Sequence, residues 1–484
     1  MIKNKSNLEF LFYPKTIAIA GVSKDLNKFN AGLKFLQCLI NFGFQGKIYP
    51  VNLGGGEVMG MKIYRSVEEI PDRVDYVISA VPAKYTPELV SDSVKKGVKA
   101  IHFFTSGFSE IENEEGKRLQ SKIIEEAKKG GLRVVGPNCL GIYCPAGGLT
   151  FNADFAKVSG PVGMISQSGG NAANCVHEGN ERGIFFSKVI SMGNGADLNE
   201  SDYLEYLAQD DETKIITGYI EGVREGQRFF SALKTATKTK PVIFFKVGRS
   251  ISGAEAALSH TTALAGSNTI WDSMMRQAGA IQAESIEEMM DITLAFNKLP
   301  IPKGRRIIIV GIGGGASVIL ADEFSNAGLI LPKLTDNLRK KLIRLYPSEA
   351  GRIFKNPVDL NNFESPDIFF ETLKTLNECE EADLLAIHVG FDHLSLMPIV
   401  EKEFIIGIYL RLIRQIESKL EKSLPIILHS YSSLHTRKMA YDASSRLTAE
   451  GFAVFPSVRR AAVALGKFVN YYERRAIMDL SNIK

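Results

Sequence analysis

Short apolar runs alternate with longer amphipathic stretches along the chain. In the first third, runs rich in Val and Ile predict strands at residues 16–20, 46–50, 76–81, 100–104 and 133–135. The stretches between them predict helices at residues 32–42, 87–96 and 114–129. Several runs are apolar throughout, which is typical of strands covered by helices on both faces. This order predicts β-α-β units and a parallel sheet.

The same pattern restarts twice. After a loop at 145–160 with few periodic apolar positions, strands are predicted at 163–166, 188–191, 215–220 and 242–246, with a helix over 171–182. A Pro-rich break at 299–304 precedes predicted strands at 307–310, 384–389 and 426–429. Such breaks indicate domain boundaries. We therefore expect an α/β protein of three Rossmann-like or flavodoxin-like parallel-sheet domains, at residues 1–145, 146–299 and 300–484.

Composition and charge exclude several classes of protein. The 484 residues are 45% apolar and 23% charged, which are ordinary globular values. A net charge of +4 is too small for an electrostatic footprint on nucleic acid or an anionic membrane. The five cysteines contain no CxxC pair, which argues against a disulfide framework or a zinc site and fits a reducing compartment. With no signal peptide and no apolar run of about 20 residues, we expect a cytoplasmic protein.

Turns marked by Gly or Pro follow three of the predicted strands of the first domain. Ligands of open parallel sheets bind at the carboxyl ends of strands, where loops meet helix N-termini. The turns are Gly21-Val22-Ser23, Val81-Pro82 and Ser106-Gly107. The first turn lacks the G-x-G-x-x-G spacing of a dinucleotide-binding loop. Taken alone, each of the three turns is explained by a tight connection between a strand and a helix. Three turns on one rim favour a nucleotide-like ligand.

A further turn in the second domain joins a predicted strand to a helix start. Its sequence is Ser166-Gln167-Ser168-Gly169-Gly170. Hydroxyls and glycines at a helix start allow a phosphate to approach backbone N–H groups closely, although Ser is also a preferred N-cap. The third domain has a glycine turn at 311–315, but no Lys-Ser or Lys-Thr follows it. No segment of the chain therefore matches an ATP-binding P-loop.

His260 is the candidate for covalent chemistry. It lies in a stretch of small residues, 250–267, with little periodic core signal. A neutral imidazole is a competent nucleophile at pH 7, and a loop of small residues would let it move. Glu221, at the end of a predicted strand, is the best-placed carboxylate to orient the imidazole. The alternative for Glu221 is a solvated acid in a turn.

These residues belong to a set of motifs that resembles a known family. The chain resembles the α subunits of NDP-forming acyl-CoA synthetases (ADP-forming acetate–CoA ligases), relatives of the succinyl-CoA synthetase α subunit. The resemblance covers residues 1 to about 300. Its markers are Tyr13-Pro14-Lys15-Thr16-Ile17-Ala18, the segment 46–52, Gly136-Pro137-Asn138-Cys139-Leu140-Gly141, the segment 166–169, Gly193-Asn194-Gly195-Ala196-Asp197, the segment 219–222 and Ser259-His260-Thr261.

The resemblance implies the roles of individual residues. It implies that His260 is the phosphohistidine, that Glu221 orients it, and that the turn Ser166, Ser168, Gly169 and Gly170 holds the phosphoryl group. It also implies a coenzyme A site on the first domain, formed by Gly21, Val22, Ser23, Val51, Asn52, Val81, Pro82, Ser106, Gly107 and Asn138.

The resemblance also implies a reaction and a partner. Phosphate attacks acyl-CoA to give acyl phosphate and CoA, His260 takes the phosphoryl group, and ADP accepts it to form ATP. ADP or ATP with Mg²⁺ would bind to an ATP-grasp β subunit, and the two kinds of subunit would form an α2β2 assembly. Three features depart from the family pattern: Thr262 stands where Gly is usual, residues 53–56 replace the usual Pro, and the strand and turn at 307–317 differ.

Three alternatives belong to other classes. A non-catalytic CoA-binding or regulatory protein would keep the rim turns but would not need His260 and Glu221. An NAD-dependent dehydrogenase would need the glycine fingerprint and an acidic residue after the second strand, where Asn52 stands. A Cys139 thiol nucleophile would need an activating group, and the sequence assigns none.

Overall fold

Residues 8–111, 113–255, 267–311, 313–360, 366–391, 424–429 and 433–481 are described in the computed structural model of the protein. Contacts divide the chain into two compact units. The first is Met1–Asn180 with Ile184–Met289, and the second is Glu181–Gly183 with Met290–Lys484. The first unit contains two large sheets and the second contains one, all with mainly parallel strands, so the predicted α/β class is confirmed.

The first sheet has five parallel strands in the order β2-β1-β5-β6-β7. Its region comprises α1 (Glu9–Phe12), β1 (Thr16–Ala20), α2 (Ala31–Phe42), β2 (Lys47–Val51), β3 (Gly56–Val58), β4 (Met61–Ile63), β5 (Tyr76–Ser79), α3 (Thr86–Lys95), β6 (Ala100–Phe103), α4 (Glu114–Lys129) and β7 (Arg133–Val135). The predicted strands are confirmed to within two residues at each end. The inner strands β1, β5 and β6 are almost entirely buried because helices cover the sheet, as the apolar runs predict, whereas the edge strand β2 is partly exposed.

The second sheet has six strands in the order β13-β12-β11-β9-β10-β8. Its region comprises β8 (Gly141–Tyr143), β9 (Val162–Ser166), α5 (Gly169–Glu181), β10 (Phe186–Ser191), α6 (Glu200–Gln209), β11 (Ile215–Ile220), α7 (Gly226–Thr237), β12 (Val242–Lys246), α8 (Asn268–Ala278), β13 (Ile281–Ala283) and α9 (Ile286–Lys298). All neighbours are parallel except β8, which pairs antiparallel with β10 at the edge.

The third sheet, in the second unit, has six strands in the order β15-β16-β14-β17-β18-β19. Its region comprises β14 (Ile307–Gly311), α10 (Gly314–Asn326), α11 (Asp336–Leu345), β15 (Ile353–Phe354), β16 (Val358–Asp359), α12 (Pro366–Asn377), β17 (Leu384–Gly390), β18 (Ile426–His429), α13 (Leu434–Ala449), β19 (Val454–Phe455) and α14 (Val458–Ser481). The three strands predicted here are confirmed.

The strands that the pattern does not predict are short. The hairpin β3–β4, the edge strands β8, β13, β15 and β19, and the inner strand β16 have two or three residues each. Two or three residues cannot display a hydrophobic period, so sequence alone does not reveal them. None of the helices in the described ranges is both long enough and apolar enough to cross a membrane.

Candidate active site

The turns after β1 and β2 lie side by side at the carboxyl edge of the first sheet. The N–H groups of Gly21 and Val22 donate to the Val51 carbonyl oxygen at 2.9 and 3.2 Å. The Asn52 side-chain amide donates to the Val22 carbonyl oxygen at 2.9 Å. Parallel pairing of β1 with β2 produces this contact, because it places the ends of both strands on one edge. The structure therefore brings the first two groups of predicted rim residues together.

The turns after β5 and β6 continue the same rim. The Thr105 hydroxyl donates to the Val81 carbonyl oxygen. The N–H group of Asn138, which follows β7, donates to the Thr105 carbonyl oxygen at 3.0 Å. The other predicted residues of these turns are exposed or half-buried: Pro82, Ser106 and Gly107. All five strand ends of the sheet thus contribute to one continuous surface.

Protein side chains already bind several N–H groups of this rim. The Ser23 N–H donates to the Asn30 side-chain oxygen at 3.1 Å. The N–H groups of Gly107 and Phe108 donate to one carboxylate oxygen of Glu110 at 2.6 and 3.1 Å. A dinucleotide-binding turn instead points its N–H groups at the pyrophosphate. In this structure these particular N–H groups are therefore bound by protein acceptors.

Two glycines allow the first turn to form, and sequence analysis identifies only one of them. Gly21 has φ +95°, and a Cβ atom there would lie 2.8 Å from the Ala80 carbonyl oxygen. A Cβ atom at Gly32, in the first turn of α2, would lie 2.6 Å from the Gly21 carbonyl oxygen. The helix can therefore pack directly against the turn. A second glycine at the start of the following helix is the signal in the sequence that would have identified Gly32.

The second predicted turn forms a capped helix start. The Ser168 hydroxyl accepts the Asn171 N–H at 3.3 Å, so Ser168 is the N-cap of α5. The Ser166 hydroxyl donates to the Ser168 carbonyl oxygen at 2.7 Å. Among the described residues, no acceptor binds the N–H groups of Gly169 and Gly170, and a Cβ atom at Gly170 would meet open space. The cap and an anion site therefore coexist here, since the cap uses a different N–H group.

Gln167 connects this helix start to Glu221, and sequence analysis does not identify it. Its side-chain oxygen accepts the N–H groups of Glu221 and Gly222. Its side-chain nitrogen donates to the Gly222 carbonyl oxygen at 3.0 Å. Gln167 is 4% exposed, so these bonds are shielded from water. The parallel pairing of β9 with β11 brings the two turns close enough for a single side chain to bridge them.

Gln167→Ala is expected to lower the free energy of unfolding by about 2–4 kcal/mol, because two buried N–H groups and one carbonyl would lose their partners. We also expect lower activity, because the Glu221 turn would be less firmly held. Gln209→Ala is the control, since Gln209 bonds only to the Glu205 carbonyl oxygen of its own helix. Urea denaturation of both variants tests this prediction. Equal stabilities would contradict it.

Glu221 lies in the protein interior and not in a solvated turn. It is 3% exposed. Its backbone N–H donates to the side-chain oxygen of Gln167, the residue directly before the Ser168 cap of α5. Burial, and then the adjacent Glu221 carboxylate, raise the pKa of Tyr219 to about 12, so the phenol stays protonated. Glu221 therefore belongs to the same cluster as the helix start, as an orienting acid would.

The two candidate sites are connected through Asn194 of the 193–197 motif. The Asn194 side-chain amide donates to the Glu110 carboxylate at 2.6 Å, and Glu110 holds the turn at Gly107. The Arg224 guanidinium donates to the Asn194 carbonyl oxygen at 3.1 Å. Arg224 follows the Glu221 turn directly in sequence. This motif, quoted above only as a family marker, thus joins the rim of the first sheet to the turn in the second.

The remaining residues singled out from the sequence do not join this cluster in the described part of the structure. His260 and Thr262 lie outside the described residues. Cys139 is 4% exposed, and burial raises the pKa of its thiol, which opposes thiolate chemistry. In the third sheet, the Gly313 N–H donates to the buried Asp359 carboxylate at 2.8 Å. No cluster of metal-ligating side chains occurs in the part of the chain that the structure describes.

Comparison with known proteins identifies the class. A model of the CoA binding domain matches residues 15–145, and a model of the succinyl-CoA ligase like flavodoxin domain matches residues 159–296. These are the regions of the first and second sheets. Both matches therefore define the chain as one of CoA-ligase type.

Three relatives make the assignment more specific. The chain is 41% identical over 380 residues to the α subunit of acetate–CoA ligase [ADP-forming] II of Pyrococcus furiosus, covering 78% of this chain and 81% of that one. It is 32% identical over 474 residues to acetate–CoA ligase [ADP-forming] II of Archaeoglobus fulgidus, covering 97% of this chain and 68% of that one. A solved acetyl-coenzyme A synthetase 1 of Candidatus Korarchaeum cryptofilum, in complex with phosphate and ADP, superposes with a TM-score of 0.84 at 31% identity, covering 98% and 99% of the two chains. The chain belongs to the NDP-forming acyl-CoA synthetases, which confirms the family expected from the motifs.

Proposed function

We propose that this chain is the α subunit of an ADP-forming acyl-CoA synthetase that uses His260 as a phosphohistidine. The observation that carries the proposal is the cluster of Glu221, Gln167 and the Ser168-Gly169 helix start at the carboxyl edge of the second sheet. A buried carboxylate beside a helix N-terminus with two available N–H groups is suited to orient an imidazole and bind a phosphoryl group. Phosphoryl transfer needs mainly such positioning and charge stabilisation.

The proposed reaction has three steps. Inorganic phosphate attacks the thioester carbonyl of acyl-CoA, and CoA leaves as its thiol. The imidazole of His260 then attacks the phosphorus of the acyl phosphate, and the carboxylate leaves. ADP attacks the phosphohistidine, which gives ATP and restores the imidazole. Coenzyme A would bind to the rim described above, at Gly21–Ser23, Val51, Asn52, Val81, Pro82, Ser106, Gly107 and Asn138.

The nucleotide step is proposed for a partner subunit. The relative from Pyrococcus furiosus is named a subunit α, and the relative from Archaeoglobus fulgidus is longer than this chain. We propose an ATP-grasp β subunit that binds ADP with Mg²⁺ in an α2β2 assembly. We also propose domains at 1–145, 146–299 and 300–484, since the two matched models end at residues 145 and 296. Acetate is the first acid to test, because both named ligases act on it.

Phosphate labelling tests this function. The chain assembled with an ATP-grasp β subunit is incubated with Mg²⁺ and ATP labelled on the γ-phosphate. We expect acid-labile, base-stable label on the α chain, which acetate and CoA discharge as acetyl-CoA forms. The His260→Asn variant is the control and should remain unlabelled. An unlabelled wild-type chain, beside a related synthetase that labels under the same conditions, would instead favour the non-catalytic CoA-binding alternative.

A further inference from the structure

A buried lysine lies directly behind the Glu221 turn. Lys246 is the last residue of β12 and is 2% exposed. Its ammonium donates to the carbonyl oxygens of Glu221 and Val247 at 2.7 and 2.5 Å. The pairing of Ile220 with Lys246 in the parallel register places the two strand ends together. The lysine therefore bonds to the backbone of the residue whose carboxylate is proposed to orient His260.

Burying the charged ammonium of Lys246 opposes folding, which suggests that the charge has a function. Among the described residues, no carboxylate lies within ion-pair distance of the Lys246 ammonium, whose bonds are to neutral carbonyl groups. Taking an ammonium out of water without a direct counter-ion opposes folding, and an apolar side chain at this position would avoid that penalty. Buried ionisable groups with this property are concentrated at functional sites.

We infer that Lys246 is a positioning residue for phosphoryl transfer: it anchors the Glu221 turn and holds a positive charge behind the site where the phosphoryl group binds. The inference rests on the proposed function. The positive charge favours the phosphoryl group that arrives at the adjacent helix start. The two hydrogen bonds fix the backbone from which the Glu221 carboxylate projects.

The charge state of Lys246 gives a distinctive pH dependence. Burial lowers its pKa to about 8; Arg249, in the loop after β12, acts in the same direction, and Glu221 opposes them. Arg249 itself is paired with Asp272 of α8 at 2.9 Å and also interacts with Glu284 after β13. Lys246 is charged below this pKa and loses its proton as the pH rises through it. We therefore expect the rate of phosphoryl transfer to fall on the alkaline side of about pH 8.

Lys240 provides a matched control in the same sheet. It is 9% exposed and donates to the carbonyl oxygens of Leu207 and Asp210 at 2.6 and 2.5 Å. Burial lowers the pKa of Lys240 to about 8 as well. Lys240 precedes β12 and Lys246 is its last residue. The two ammonium groups therefore lie at the amino and carboxyl edges of the sheet, respectively. A lysine that is only structural should behave as Lys240 does.

The test compares Lys246→Gln, Lys246→Arg and Lys240→Gln in the chain assembled with its β subunit. Measurements are kcat and KM for acetyl-CoA, ADP and phosphate, the rate of His260 labelling, thermal unfolding, and kcat between pH 6.5 and 9.5. We expect Lys246→Gln to lower kcat and the labelling rate by roughly 10- to 100-fold with little change in KM, as for a displaced reacting group. Lys246→Arg should restore part of the rate and remove the alkaline decline, because a guanidinium does not titrate in this range. Lys240→Gln should keep the wild-type kcat and pH profile.

Three results would overturn the inference. One is a Lys246→Gln variant with a wild-type labelling rate, and another is an equal loss of kcat in Lys246→Gln and Lys240→Gln. The third, which applies even where a Gln variant does not fold, is an alkaline decline that Lys246→Arg retains. If the wild-type chain neither labels nor forms ATP, the proposed function itself fails, and this outcome is distinct because it does not depend on any Lys246 variant.

Discussion

Glu221→Gln is expected to lower kcat for ATP formation from acyl-CoA by about 10²- to 10³-fold, with little change in KM for CoA. A glutamine has nearly the same shape as the glutamate, and the bonds from Gln167 to the backbone of residues 221 and 222 would persist. The change removes the negative charge that stabilises an imidazolium and that selects the tautomer of His260. Steady-state kinetics and the rate of His260 labelling measure the effect.

Glu200→Gln is the control for this prediction. Glu200 is fully buried, accepts the Arg224 N–H at 2.7 Å, and lies in the same unit as Glu221. Burial raises its pKa, so a neutral amide is a mild replacement. We expect its kcat to remain within about twofold of wild type, as for substitutions away from reacting groups. A Glu221→Gln enzyme as active as Glu200→Gln would show that the carboxylate has no role in the transfer.

Gly21→Ala is expected to lower the free energy of unfolding by about 3–5 kcal/mol and to abolish measurable CoA binding. Two costs combine at this position. The residue has φ +95°, and the new Cβ atom would lie 2.8 Å from the Ala80 carbonyl oxygen. A backbone atom at the end of a buried strand cannot move away as a flexible side chain would. The turn would therefore shift, and with it the contacts to Val51 and Asn52.

Gly43→Ala separates these two costs. Gly43 ends α2 with φ +94°, nearly the same angle, but a Cβ atom there would meet nothing within 4 Å. We expect it to cost only about 1 kcal/mol and to leave CoA binding intact. Urea denaturation and calorimetric titration with CoA measure both variants. Similar losses of stability in the two would show that backbone conformation, and not the close approach to Ala80, determines the effect.

The local sequence pattern was sufficient for the longer strands and for four of the helices. Residues 16–20, 133–135, 215–220, 242–246 and 426–429 are strands at the predicted bounds, because each is a β-branched or apolar run next to turn residues. The helix at 114–129 also has its predicted bounds, since Asn113 caps it through the Gly116 N–H. The helix predicted from residue 171 begins at Gly169 instead, because its cap is Ser168.

The residues that sequence analysis missed act through distant partners. Gln167 and Lys246 carry no signal of their own, since a glutamine in a turn and a lysine at a strand end are ordinary locally. Gln167 and Glu221 are 54 residues apart, and Lys246 is 25 residues from Glu221. Their roles appear only when the strands that precede them are adjacent in the sheet.

The sequence by itself determined the α/β class, the position of each glycine turn and the family, because these depend on local periodicity and contiguous motifs. The tertiary structure decided which turns meet. In the order β13-β12-β11-β9-β10-β8, β11 lies next to β9 although α5, β10 and α6 separate them in the chain. Strand order follows from hydrogen-bond pairing and from helix packing over the whole sheet. That order places Glu221 beside the Ser168 helix start and Lys246 behind Glu221, and no local pattern contains it.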